Sequence, residues 1–196
     1  LLVDAPVRSG EMHCVEPMPS TSQVLQYAKD ELGLDRKEED KGQGGGANKF
    51  IITRAAVSAT DGTVTFPSAE SAGIEHLGLE SCKTRKHCEE VPMYSLQTYV
   101  DEFVESKGPI NILSIDVEGY DFDVLFGAGS VLDRVEYLEF EYHESGTWKD
   151  YHLMDAVRLL NRKGFTCYWA GDKKLWRLTG CDHEAYKKWH GWSNVA

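Results

Sequence analysis

Basic residues are scarce in this chain. Its 196 residues carry 21 Lys plus Arg against 32 Asp plus Glu, a formal charge of −11. Nucleic acid is thereby a poor partner, because phosphate-backbone binding needs a basic patch and no Lys/Arg run of useful length occurs. Long apolar runs are also missing. None approaches the roughly 20 residues needed to span a bilayer, and Leu1-Leu2-Val3 is cut short by Asp4 before it could serve as a signal-peptide core. No membrane segment is expected. Cysteine is sparse and odd in number: Cys14, Cys82, Cys88, Cys167 and Cys181. There is no C-x-x-C pair, and Cys82 with Cys88 falls outside zinc spacing. The expectation is free or buried thiols in a reducing, cytoplasmic setting, with a Cys82–Cys88 surface disulfide as the alternative. The histidines are too dispersed for a metal site, so no metal is expected. A G-x-S-x-G elbow is absent. Gly44-Gly45-Gly46 lacks the Lys-Ser/Thr of a phosphate loop.

What is present reads as one α/β domain over residues 1–196. The length suits a single core, and 41% hydrophobic with 27% charged residues is ordinary for a globular chain. Met12-His13-Cys14-Val15 is a short strand closed by Glu16-Pro17. Ser20-Thr21-Ser22 offers caps for a helix carrying Val24, Leu25, Ala28 and Leu32 on one face, ended by Gly33. Residues 35–48 are expected to be a flexible insertion. Phe50 to Val57 reads as one strand, and Asp61-Gly62 followed by Thr63-Val64-Thr65-Phe66 as a hairpin-like excursion. Residues 67–90 are polar and read as a long loop. Ser95 caps a helix bearing Leu96, Tyr99, Val100 and Phe103. Ile110 to Val117 is the most apolar strand, 121–126 a short helix, 135–142 a strand and 150–163 an amphipathic helix ended by Gly164. Phe165–Trp169 and Leu175–Leu178 flank Gly171-Asp172 as an antiparallel hairpin. Such alternation, with a near-continuous apolar strand at 110–117, predicts a doubly wound, mostly parallel sheet covered on both faces.

In that architecture ligands bind beyond the carboxyl ends of the strands. Three clusters sit there. Glu16 can accept both hydroxyls of a ribose, or equally serve the dipole of the next helix. Asp116 and Glu118 are two apart, so an extended strand points both to one face, where their repulsion invites a cation or a lysine; the alternative has Asp116 capping the following helix and Glu118 turned to solvent. Glu139, Glu141 and His143 alternate on the next strand, with His143 placed either as base or as structural histidine.

Four blocks in order carry a resemblance: Cys14-Val15-Glu16-Pro17-Met18-Pro19, Ala55-Ala56-Val57-Ser58 with Asp61-Gly62, Tyr94-Ser95-Leu96-Gln97-Thr98-Tyr99-Val100-Asp101, and Ile115-Asp116-Val117-Glu118-Gly119-Tyr120-Asp121. Together they resemble the FkbM family of S-adenosylmethionine-dependent methyltransferases over roughly residues 12–171. The resemblance implies a Rossmann-like class I methyltransferase sheet with a C-terminal antiparallel hairpin, and S-adenosyl-L-methionine as cofactor. It implies that Glu16, with Pro17 beside it, binds the cofactor ribose. Ala56, Val57 and Ser58 then lie near the adenine, and Asp116 faces the methionine portion and the acceptor. Glu118 and His143 become acceptor-side catalytic candidates beside Asp116. The implied acceptor is a hydroxyl of a sugar or small metabolite.

One departure bears on these expectations. Members of this class open with a strand and a D-x-G-x-x-x-G loop, whereas Ala5-Pro6 stands where a glycine is needed before Gly10. Residues 1–11 therefore read as the tail of a first unit whose strand and helix are outside the chain. Two further readings stay open: a non-catalytic methyltransferase-like binding or scaffold protein with a degenerate cofactor site, and a metal- or sugar-binding module built on Asp116, Glu118 and His143.

Overall fold

The computed structural model describes residues 10–34, 48–68, 82, 87–181 and 191–196. The expectations for 35–47, for most of 67–90 and for 1–9 lie outside the described residues. Among the described residues, ten strands and four α-helices form a mixed α/β fold. β1 (Glu11–Val15) and β2 (Lys49–Thr53) pair in parallel. β3 (Ala56–Ser58), β4 (Gly62–Pro67) and β5 (Cys88–Ser95) form a second sheet in the order β3-β5-β4. β6 (Ile110–Ile115), β7 (Val135–Tyr142), β8 (Tyr168–Ala170), β9 (Leu175–Arg177) and β10 (Ser193–Val195) form a third, ordered β6-β7-β10-β8-β9.

The helices follow their local chemistry. α1 (Pro19–Leu32) starts one residue before the serine and threonine caps, with Met18 at the N-cap and Pro19 in the first turn, where its fixed φ and missing donor cost nothing. Gly33 closes it in the left-handed conformation (φ +57°). Its apolar stripe is not buried by the described part of the chain: Val24 and Leu32 are more than half exposed. α2 (Leu96–Phe103) is capped as its sequence predicts, Ser95 Oγ accepting the Thr98 N–H at 3.1 Å. α3 (Asp121–Phe126) and α4 (Leu153–Arg162) complete the set. Asp155 accepts the His152 N–H at 3.0 Å, and Leu153, Met154, Ala156, Val157 and Leu160 place one buried face on the core.

That core gathers α2, α3 and α4 against the inner face of β6 and β7. Leu138, Phe140 and Tyr142 from β7 meet Ile115, Leu125, Leu153 and Leu160. Trp148 stacks on Phe140 and meets Tyr142 edge-on at 5.0 Å. A smaller cluster joins Met18, Ala56, Phe66 and Val91.

Several expectations are corrected. The single strand expected over 50–57 is two, β2 and β3, in different sheets and broken at Arg54-Ala55. The excursion after Asp61-Gly62 pairs with β5, not with the strand before it. β5 itself occupies 88–95, where loop was expected to run to Glu90. Its polar residues are explained by one-sided burial, Val91 being 2% exposed beside exposed Glu89, Glu90 and Pro92. Glu11, assigned to the leading tail, opens β1. β6 stops at Ile115 and is not covered on both faces by the described residues, since Ile112 is 68% exposed opposite Tyr137. The sheets are not mostly parallel: β1–β2, β3–β5 and β6–β7 run parallel, but β4–β5, β7–β10, β8–β10 and β8–β9 are antiparallel. The antiparallel β8–β9 hairpin forms, but its first strand begins at Tyr168 instead of Phe165, and β10 inserts between it and β7. Cys82 and Cys88 are joined in a disulfide, which corrects the free-thiol expectation for that pair; Cys14, Cys167 and Cys181 are free. Among the described residues no helix is long and apolar enough to cross a membrane.

Candidate functional site

The turn after β6 is built on two glycines that touch. Gly119 (φ +95°) lies so close to the turn after β7 that a Cβ there would sit 2.6 Å from the Ser145 carbonyl oxygen, and Gly146 (φ +59°) faces it in return. Thr147 seals the contact, donating its N–H to the Gly119 carbonyl at 3.0 Å and its hydroxyl to the same oxygen at 3.2 Å. This backbone contact carries Glu118 toward His143.

Glu118 is the one non-glycine residue among those described with positive φ (+54°). β6 has already ended, so the extended i,i+2 geometry expected for Asp116 and Glu118 does not exist. The fold brings Glu118 into another group. One ligand atom from each of Glu118, Glu141 and His143 lies within 4.8 Å of the others. Asp116 stands beside them on the solvent side, exposed, and its negative charge is felt by both His143 and Asp121.

His143 is 4% exposed, and burial pulls its pKa below the ordinary imidazole value while Asp116 opposes the shift. Its Nδ1 accepts the Ser145 N–H at 3.1 Å. A neutral ring has one proton, so that proton is on Nε2, which faces Glu141 Oε2 at 3.5 Å. Trp192 lies over this pair: its ring stacks on His143 with centroids 4.6 Å apart, and its indole N–H donates to Glu141 Oε1. Asp121 supports the site from beneath. It is fully buried, Oδ1 accepts the Glu141 N–H at 3.3 Å, and Oδ2 has no partner among the described residues. Desolvation, with Asp116 and Glu141 adding to it, pushes its carboxyl up to about 7.

The trio has the residue types of a metal site, but the tautomer opposes one. A ligating imidazole gives a lone pair to the ion and donates its other N–H outward; here Nδ1 receives a hydrogen bond, leaving Nε2 protonated. The same fact limits His143 as a general base, since its one lone pair is already engaged. The geometry suits holding a carboxylate beside a hydroxyl or a cation.

The remaining predicted residues lie on other sheets. Glu16 follows β1 and is half-buried, with Oε1 accepting the Met18 N–H at 2.7 Å. Burial pushes its carboxyl up, and the Met18 bond partly offsets this. It is thus engaged with Met18, the residue that precedes α1. Pro17 sits half-buried between them. Ala56 and Ser58 are buried in β3, Val57 is half-buried, and the Ser58 carbonyl abuts Gly127 at the end of α3. So Asp116, Glu118 and His143 converge, and Glu16 with Ala56, Val57 and Ser58 do not join them. Sequence reasoning passed over Glu141 as one of an alternating set and left Trp192 between shaping acceptor access and covering the sheet edge. The Glu-Phe-Glu-Tyr-His alternation signalled the first; nothing local signalled the second.

A family model described as the methyltransferase FkbM domain matches residues 6–167. No curated protein and no solved structure matches the chain.

Proposed function

The chain belongs to the methyltransferase FkbM domain family, and on that premise we propose that it transfers the methyl group of S-adenosyl-L-methionine to a hydroxyl of a sugar or other small metabolite. The observation that supports this best is the gathering of Asp116, Glu118, Glu141 and His143 at the carboxyl ends of the parallel pair β6–β7, the place where α/β folds bind ligands. β1, β2, β6 and β7 would then belong to one Rossmann-like layer, and residues 1–196 to one methyltransferase-like domain.

Carboxylates are the donor type that ribose hydroxyls and a sulfonium cation would take. Bound there, S-adenosyl-L-methionine supplies a methyl already activated on a sulfonium. Glu16, with Pro17, would take the ribose hydroxyls through the carboxylate oxygen that Met18 leaves open, and Ala56, Val57 and Ser58 would flank the adenine. Asp116 would favour a cation over a neutral product by its charge. On the acceptor side, Asp116 and Glu118 orient the hydroxyl and accept its proton, and His143 Nε2 lies 3.5 Å from the neighbouring Glu141 carboxylate. Alignment of the acceptor oxygen accounts for much of the acceleration, since a well-oriented pair gains about 7 kcal/mol or more over free encounter.

Calorimetric titration with S-adenosyl-L-methionine tests the reading. Binding is expected, and Glu16→Gln, which keeps an acceptor for Met18 N–H, is expected to weaken it without lowering the melting temperature. Titration heat absent from the wild type would sink the enzyme reading and leave the non-catalytic binding protein standing.

A further inference from the structure

We propose that Trp192 is a positioning residue of this site, so that the C-terminal strand β10, beyond the span the family model matches, completes it. The inference rests on the reading of the site as a methyl-transfer centre, but the geometry that carries it stands on its own.

β10 pairs antiparallel with β7 in a fixed register: Ser193 lies opposite Tyr142 and Asn194 opposite Glu141. That register sets Trp192 just past Tyr142, above His143. The side chain is held at two points. Its indole N–H is spent on Glu141 Oε1, and one ring face lies on the His143 imidazole at an interplanar angle of 25°. Trp192 is nevertheless 65% exposed. Hydrophobic burial therefore does not explain its placement; the indole N–H bond and the stack do.

The consequence for Glu141 is specific. Its backbone N–H is tied to Asp121, its Oε1 to Trp192, and its Oε2 faces the Nε2–H of His143, whose tautomer Ser145 sets. The carboxylate takes a hydrogen bond from Trp192, with His143 Nε2 3.5 Å from its other oxygen, while Asp121 accepts the Glu141 backbone N–H. Trp192 is the only one of these partners that arrives from residues 191–196, so the site is assembled only when β10 is zipped between β7 and β8. Removing the indole N–H while keeping an aromatic ring takes that donor from Glu141 Oε1 but leaves the stack on His143. Removing the ring takes away both contacts.

Nitrogen-detected NMR on the full chain, combined with turnover, tests this. In the wild type, His143 is expected as the Nε2–H tautomer, and the Trp192 indole N–H is expected strongly downfield. Glu141→Gln should move that indole resonance and no other tryptophan's. Trp192→Phe should keep His143 ring shifts near wild type, whereas Trp192→Ala should displace them. In methyl transfer from S-adenosyl-L-methionine to a panel of monosaccharides, Trp192→Phe is expected to lower kcat roughly tenfold or more, the loss of a charge-assisted hydrogen bond, with KM for the donor unchanged. An indole resonance indifferent to Glu141→Gln overturns the proposal, as does a Trp192→Phe enzyme with wild-type kcat. If the wild type methylates no member of the panel, the sugar-acceptor reading fails, and the indole resonance alone decides the placement of Trp192.

Discussion

Substituting Gly119 by alanine probes the contact on which the whole site depends. Two costs can be worked out separately. The first is conformational: φ is +95°, a region that L side chains avoid at a cost of about 1–2 kcal/mol. The second is steric. The new Cβ would lie 2.6 Å from the Ser145 oxygen and 2.7 Å from its carbonyl carbon, both backbone atoms with no rotamer to escape into; overpacking of this kind costs about 1–3 kcal/mol. The sum is about 2–5 kcal/mol. For a chain of this length each kcal/mol moves the melting temperature by roughly 2–4 °C, so Gly119→Ala should melt roughly 4–20 °C below wild type. Gly164 provides the control. It follows α4 with φ +93°, and nothing lies within 4 Å of its hypothetical Cβ, so Gly164→Ala carries the conformational cost alone, about 1–2 kcal/mol. Thermal unfolding followed by circular dichroism compares the two. A Gly119→Ala protein that melts no lower than Gly164→Ala would refute the close approach of the two turns, and with it the account of how Glu118 reaches His143.

Asp121→Asn should alter the pH dependence of stability. The folded carboxyl titrates at about 7, against 3.8 for an unperturbed group. The raised value means that stability is full below about pH 4 and is lost as pH rises through about 7, by up to about 4 kcal/mol. Asparagine keeps an acceptor for the Glu141 N–H and never ionises, so the variant should be more stable than wild type at about pH 8, with a flatter slope from pH 4 to 7 in urea titrations. Equal slopes would place Asp121 in a wetter setting than described. Separately, the Cys82–Cys88 bridge spans a separation of 6 residues. Closing so short a loop is worth about 2 kcal/mol in the chain-entropy treatment. A Cys82→Ser/Cys88→Ser protein should therefore lose that much stability, and reducing agent should bring the wild type to the same midpoint while leaving the variant unmoved.

The helices and β7 were legible because their signals are local. Ser95 and Thr98 sit at capping distance, Leu153, Val157 and Leu160 recur at helical spacing, and Val135–Tyr142 stands at its predicted bounds. β5 was hidden for an equally physical reason. Pro92 lacks a backbone donor, and only Val91 is fully buried, so a strand lying between two others carries the composition of a loop. In the site, Asp116, Glu118 and His143 were each named from their strand ends. Asp116 and Glu118 are not joined by alternation along an extended strand, because β6 ends at Ile115. Glu118 reaches the site through a left-handed turn instead.

The sequence by itself determined the helices, β7, the acidic strand ends and the family, since each is written in residue spacing of at most a few turns. Only the tertiary structure decided the company those acids keep. Glu118 meets His143 because two glycine turns 27 residues apart in the chain (146 − 119) press backbone to backbone. Trp192 meets Glu141 because a three-residue strand inserts beside β7 in one register. Contacts of that kind follow from pairing between distant segments, whose energies depend on the packed whole and leave no mark in any local window.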